Sequence, residues 1–251
     1  MEPVRGHRNK SVVAAARLHR ARNRRETGQC LVEGPALLAD ALSAGGKVIR
    51  IFALPDDDAS QALADNNDLE IVLVDDRALQ RLAGTETPRG PIAVVETQED
   101  GLDPAKNLLV SWGVSDPGNV GNLIRTAASF GWGFAYTRGT ADPWAPKTIR
   151  AGAGGHFQTR IVSIEGLADL EGWITVATIV GDGEPPAPMA SPVAVVIGEE
   201  ASGLPESVAA GCDHKITIPT TGHTESLNAA AAAAIVVYEL SKPPRQPGDE
   251  V

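Results

Sequence analysis

The chain has 251 residues, 43% of them hydrophobic and 22% charged, enough for one large or two modest domains that each bury a core. No apolar stretch approaches the roughly 18–20 residues of a membrane span, and the basic N-terminus lacks the apolar run of a signal peptide, so a cytoplasmic globular protein is expected. The net charge of -10 argues against a nucleic-acid partner, and the two cysteines, Cys30 and Cys212, have no CxxC or His/Cys spacing near them, which excludes a disulfide framework and a structural zinc.

Charge is unevenly distributed. Residues 1–25 hold eight cations (Arg5, Arg8, Lys10, Arg17, Arg20, Arg22, Arg24 and Arg25) against Glu2 alone, a net of +7 that leaves -17 for the rest of the chain. Such asymmetry suits a basic element set against an anionic partner, with an acidic body that limits nonspecific adhesion; an Arg-rich, solvated first helix is the plainer reading. Apolar runs then follow at Cys30–Val32, Val48–Phe52, Ile71–Val74 and Ile92–Val95. They alternate with helical patterns at Pro35–Ala44, Ala59–Ala64 and Asp76–Leu82, which indicates an α/β unit over residues 1–96. Residues 97–106, polar and interrupted by Gly101 and Pro104, read as a linker.

The second half, 107–241, opens with a strand at Leu108–Ser111, a helix from about Val120 to Phe130 and a strand around Phe134–Thr137. Further strands are expected near Phe157–Val162, Ile174–Ile179, Val193–Ile197 and Lys215–Ile218, and a helix from about Leu227 to Leu240 closes a mostly parallel sheet. The tail 242–251 is Pro-rich and expected to be disordered.

Three segments carry chemistry. In Ser115–Ala127, a turn leads from a strand end into a helix whose polar stripe of Asn119, Asn122, Arg125, Thr126 and Ser129 could hold a phosphate or ribose. Asn119 as an N-cap and Arg125 as a surface charge is the plainer alternative. In Val193–Pro205, a buried strand breaks at Gly198, which permits close backbone approach to a ligand, into an acidic loop. Of its two carboxylates Glu200 is expected to face inward and Glu199 to be solvated, since unpaired buried charge is costly. In Ile216–Asn228, a strand passes through a polar loop to the start of an Ala-rich helix, where Ser226 could be an N-cap and Asn228 needs polar partners. By contrast, Ala151–Phe157 is similar to a dinucleotide loop but lacks its third glycine and precedes an expected strand, so NAD is not expected.

Taken in order, N-x-G-N-x-x-R-T-A, G-x-E-x-x-G-L and I-P-x-x-G-x-x-x-S-L-N resemble the three signature motifs of SpoU (TrmH) RNA ribose 2'-O-methyltransferases of the SPOUT superfamily, over residues 107–240. The first half, opening R-R-E-T-G and L-V-E-G at Arg24–Gly34, resembles that family's substrate-binding domain, itself similar to an RNA-binding ribosomal-protein fold. The resemblance implies an α/β knot, a deep C-terminal trefoil, in a homodimer. It further implies S-adenosylmethionine as cofactor without a metal, bound by Gly198, Ile218 and Leu227. Arg125 matches the family's catalytic arginine, with Asn119, Glu200, Ser226 and Asn228 at the other active-site positions; Arg20, Arg22, Arg24, Arg25 and Arg150 are expected to bind RNA. The implied substrate is large-subunit ribosomal RNA, the alternatives being transfer RNA, a base target, or an inactive RNA-binding assembly factor. Three positions depart from the pattern: Glu199, Ala201 in place of a common Gly, and Gly152 in place of a common Ser. Ala201 puts the loop shape in question, because a Cβ disfavours positive φ.

Overall fold

The structure, a computed structural model, describes residues 4–88, 90–98, 101–190, 192–221 and 226–243. Most of the expected tail therefore lies outside the described residues. In chain order the elements begin with α1 (Lys10–Ala16), α2 (Ala21–Thr27), β1 (Gln29–Glu33), α3 (Pro35–Ser43), β2 (Val48–Ala53), α4 (Asp58–Asn66), β3 (Ile71–Leu73), α5 (Asp76–Leu82) and β4 (Ile92–Glu96). They continue with β5 (Leu108–Ser111), α6 (Pro117–Ser129), β6 (Gly133–Tyr136), α7 (Pro146–Gly152), β7 (Ile161–Ser163), β8 (Ile174–Thr178), β9 (Val193–Ile197), α8 (Glu206–Gly211), β10 (His214–Ile216) and α9 (Ala229–Leu240). Contacts divide them into two units, one of residues 1–98 with 142–157, the other of 99–141 with 158–251.

The first unit is a four-stranded sheet in the order β1-β4-β2-β3, with β4 antiparallel to β1 and β2, and β2 parallel to β3. Because successive strand residues face opposite ways, Leu31, Phe52 and Val94 pack on one side with Val12, Leu18, Leu79 and Leu82. Cys30, Val32, Ile51, Ala93 and Val95 pack on the other with Leu38, Ala41, Ala64, Ile149 and Phe157. Ile149 and Phe157 come from the segment 142–157, which the linear boundary at 97–106 had assigned to the second half. The strand expected near Phe157–Val162 is present but starts later: α7 ends on Ala153 in left-handed conformation (φ 43°), Gly155–Phe157 forms a 3-10 turn, and β7 begins only at Ile161. The glycine run thus terminates a helix instead of leading into a strand.

The second unit is a six-stranded, wholly parallel sheet in the order β10-β8-β9-β5-β6-β7. Every residue of β5 and β9 is buried, as expected of central parallel strands covered on both faces. From β5 the chain steps outward to β6 and β7, then crosses to β8 on the other side. The order therefore reverses between β5 and β9, and the crevice at the carboxyl ends of these two strands is where ligands collect in open α/β sheets. Among the described residues no helix is long and apolar enough to cross a membrane.

Candidate active site

The loops leaving β5 and β9 flank that reversal point, and side chains join them. Asp116, not Asn119, caps α6, its Oδ1 accepting from the Asn119 backbone N–H at 2.9 Å, with Pro117 at the first helical position. This frees the Asn119 side chain, whose Nδ2 donates to Oε1 of Glu200. The α9 cap falls on Asn228, not Ser226: Oδ1 of Asn228 accepts from the backbone N–H groups of Ala230 and Ala231 at 3.0 and 3.2 Å. Nδ2 of Asn228 donates to Oδ1 of Asn119 at 2.9 Å. One asparagine thus ties the three sequence motifs together, its amide orientation set by a carboxylate on one side and an amide donor on the other.

Glu199 departs from the expected solvated role. Its carboxylate is partly buried, accepting from Ser115 Oγ at 3.0 Å and from Ser202 Oγ at 3.3 Å, a second link between the β5 and β9 loops. The two serines, Ser115 opening the first segment and Ser202 within the second, were the signal for this clamp. Gly198 is required for a different approach from the one expected: a Cβ there would lie 2.4 Å from the backbone of Gly203 and Leu204, so the loop folds back on its own strand exit. The positive φ of this loop falls at Gly203 (65°), and Ala201 is not among the residues of positive φ, so its Cβ is tolerated.

Arg125 is exposed on α6 and its guanidinium has no partner among the described residues. Ser226 and Leu227 are likewise exposed just ahead of the α9 cap. Ile218 lies beyond the end of β10, two residues earlier than the expected strand end. The backbone N–H groups of Ile218, Thr220, Thr221 and Leu227 have no acceptor among the described residues, leaving donors on both sides of the loop open to a ligand.

The expected RNA-binding arginines separate. Arg20, Arg22 and Arg25 are exposed, Arg22 pairing with Glu26 at 2.6 Å. Arg24 is 5% exposed and committed to the interior of its unit: Nη2 lies 2.5 Å from Asp142, Nε donates to the same carboxylate at 3.2 Å, and Nη1 donates to the Leu18 carbonyl at 2.7 Å. Three of its five N–H groups are thus bonded within the unit and the side chain is buried, a structural role in place of the expected RNA contact. Arg150 also faces its own unit, Nη2 donating to the Gly84 carbonyl at 3.2 Å and Nη1 lying 3.6 Å from Glu33. Burial pushes the Cys30 thiol up to about 12, and Cys212 is only partly buried, its thiol also raised by burial.

Residues 106–238 match the SpoU rRNA Methylase family, and residues 9–93 match the MRM3-like substrate binding domain. The chain is 31% identical over 248 residues to the 23S rRNA (guanosine(2553)-2'-O)-methyltransferase RlmP of Bacillus subtilis, covering 96% of this chain and 99% of the relative. It is 29% identical over 189 residues to the 23S rRNA (uridine(2479)-2'-O)-methyltransferase of Streptomyces viridochromogenes, covering 68% and 66%. Among solved structures, the AdoMet-bound rRNA methyltransferase from Sinorhizobium meliloti superposes with a TM-score of 0.82 at 25% identity, over 94% of this chain and 97% of that one.

Proposed function

The chain belongs to the SpoU rRNA methylase family, and on that premise we propose that it transfers a methyl group from S-adenosylmethionine to a ribose 2'-hydroxyl of large-subunit ribosomal RNA. The observation that carries this reading is the convergence of the β5 loop, the β9 loop and the α9 cap on the Asn119 amide at the strand-order reversal. The residues present fit the cofactor. Backbone donors at Ile218 and Leu227, without an acceptor among the described residues, suit recognition of a purine edge and a carboxylate, the exposed Leu227 side chain offers apolar surface, and Gly198 keeps the loop closed on its strand. These three residues would hold it. When bound, S-adenosylmethionine supplies an electrophilic sulfonium methyl.

What the chain must add is alignment of the ribose oxygen and management of its proton. Arg125, whose planar guanidinium has no partner among the described residues, orients the target phosphate and ribose; a guanidinium is a poor base, so orientation is its main contribution. Ser226 and Asn228 position the nucleotide, and Glu200 holds Asn119 in register. Unit 1, which contains the segment matching the substrate-binding domain, supplies RNA affinity through Arg20, Arg22 and Arg25.

The same reading carries a trefoil knot in the methyltransferase unit, a homodimer and a cytoplasmic place of work. The likeness to the AdoMet-bound relative supports the knot. For the dimer, Phe130, Ile235 and Tyr238 are 40%, 39% and 53% exposed on α6 and α9, with Phe130 and Tyr238 edge to face at 6.4 Å, apolar surface that a second copy would cover. Relatives named for 23S rRNA support the cytoplasm. The test is incubation of the purified chain with tritiated S-adenosylmethionine and undermethylated ribosomal RNA. Label retained in alkali-resistant dinucleotides is expected; label confined to bases would overturn the ribose assignment, and no transfer together with no cofactor binding would overturn the enzyme.

A further inference from the structure

The core-facing side of the first unit's sheet contains two polar residues where its pattern calls for apolar ones. Val94 pairs across the sheet with Leu31 on β1 and with Arg50 on β2, so all three share a face; Gln29 lies two residues before Leu31 and shares it too. A register shift between Val48 and Arg50 marks a bulge there, the usual device for re-aiming a side chain. Between this end of the face and α1 and α2 lies a cavity of about 300 Å³, lined by Arg17, Asn23, Gln29 and Arg50 and by Ala14 and Ile49.

Some polar groups of this cavity keep hydrogen-bonding capacity in hand. Gln29 and Arg17 have no side-chain partner among the described residues. Arg50 reaches Glu70 through Nη2 at 2.7 Å, and its Nη1 has no partner among the described residues. Asn23 spends only Nδ2, on the Arg17 carbonyl at 2.7 Å, and keeps its Oδ1 free. Polar residues at core positions of the sheet, with unpartnered side chains around an open cavity, describe a ligand site, not a packing defect.

We infer that this cavity receives one unstacked nucleotide of the RNA, its base against the apolar lining that includes Ala14 and Ile49, read by the Gln29 amide and the Asn23 carbonyl oxygen, with Arg17 and Arg50 toward the phosphate. Sequence-specific RNA recognition works on such splayed bases, whose edges offer paired donors and acceptors to an amide. The exposed Arg20, Arg22 and Arg25 of the adjoining α2 segment favour a nucleotide still joined to its polyanion over a free one. This inference rests on the RNA-binding reading of the first unit.

Fluorescence anisotropy of the full chain with ten-nucleotide A, C, G and U homopolymers, at fixed salt, tests it, with the four nucleoside 5'-monophosphates as competitors. One homopolymer is expected to bind about tenfold tighter than the rest, the discrimination of one good bidentate contact. Gln29→Val should erase that preference, and Ala14→Phe, on the exposed rim of the cavity, should do so without touching the sheet. Both should keep the salt-dependent affinity common to all four. Equal binding of the four homopolymers by the native chain, or a preference unchanged in Ala14→Phe, would overturn the pocket. Monophosphates that compete as well as the homopolymer would overturn the polymer as its occupant. Weaker and less salt-dependent binding to all four homopolymers on removing Arg20, Arg22 and Arg25, with cofactor binding intact, supports the underlying reading; no RNA binding by the native chain would overturn that reading instead.

Discussion

Asn228 faces two ways: its Oδ1 caps α9 while its Nδ2 donates to Oδ1 of Asn119 at 2.9 Å. Asn228→Asp separates the two duties, since a carboxylate still caps the helix and suits its positive end but has no proton to give Asn119. Methyl transfer is expected to fall at least about tenfold while the melting temperature stays within a few degrees. Equal losses of both would show that the residue serves only the helix.

Arg125→Lys keeps the charge and loses the planar fork. If the guanidinium aligns phosphate and ribose, turnover should drop on the order of a hundredfold with RNA affinity nearly unchanged, as measured by single-turnover kinetics. Near-native turnover would reduce Arg125 to a point charge.

Gly198→Ala places a methyl group 2.4 Å from the Gly203 and Leu204 backbone. The loop must open, so calorimetry should record cofactor affinity weakened by about tenfold or more, with a destabilisation of about 1–3 kcal/mol. Ala201→Gly, at a position without positive φ, should change neither.

Arg24→Ala strands the Asp142 carboxylate in a partly buried site and should cost about 3 kcal/mol in denaturant unfolding. Substituting both residues by apolar ones should cost less than the sum, a coupling that the double-mutant cycle measures. Alanine at Arg20, Arg22 and Arg25 should leave stability within about 0.5 kcal/mol but flatten the salt dependence of RNA binding.

His156 is buried and its pKa is lowered to about 4, desolvation outweighing the contact of Nε2 with the Pro143 carbonyl at 2.9 Å. The unfolded chain takes up this proton below about pH 6.5, whereas the folded chain does not until about pH 4. Stability is therefore fully present above the upper value, declines as pH falls through the window and levels off below it. The loss amounts to about 3 kcal/mol. His156→Gln, which can still donate to Pro143, should flatten the decline in urea midpoints between pH 7 and pH 4; an unchanged slope would place the titration elsewhere.

Much of this was legible locally. β5 and β9 are continuous β-branched and aliphatic runs, so their bounds follow from composition, and the three motifs stand at the turns that the sheet brings together. What stayed hidden depended on distant partners. Arg24 sits in a basic run and looks solvated; the carboxylate that buries it lies 118 residues away. α7 is only seven residues long and ends in a glycine-rich stretch, too short for a periodicity to declare itself. Glu199 and Glu200 read as a choice of one inward carboxylate, whereas each found its own donor across the β5 loop.

The excursion of residues 142–157 has a consequence for dissecting the molecule. The backbone passes from one unit to the other at three places, not one. A fragment cut after Gln98 would retain Ile149 and Phe157, 1% and 4% exposed in the intact chain, stripped of the Cys30, Val32 and Leu38 surface they cover. Such a fragment should be sticky and prone to self-association, and replacing 142–157 by a short polar bridge is the modification that would let the catalytic half be produced alone.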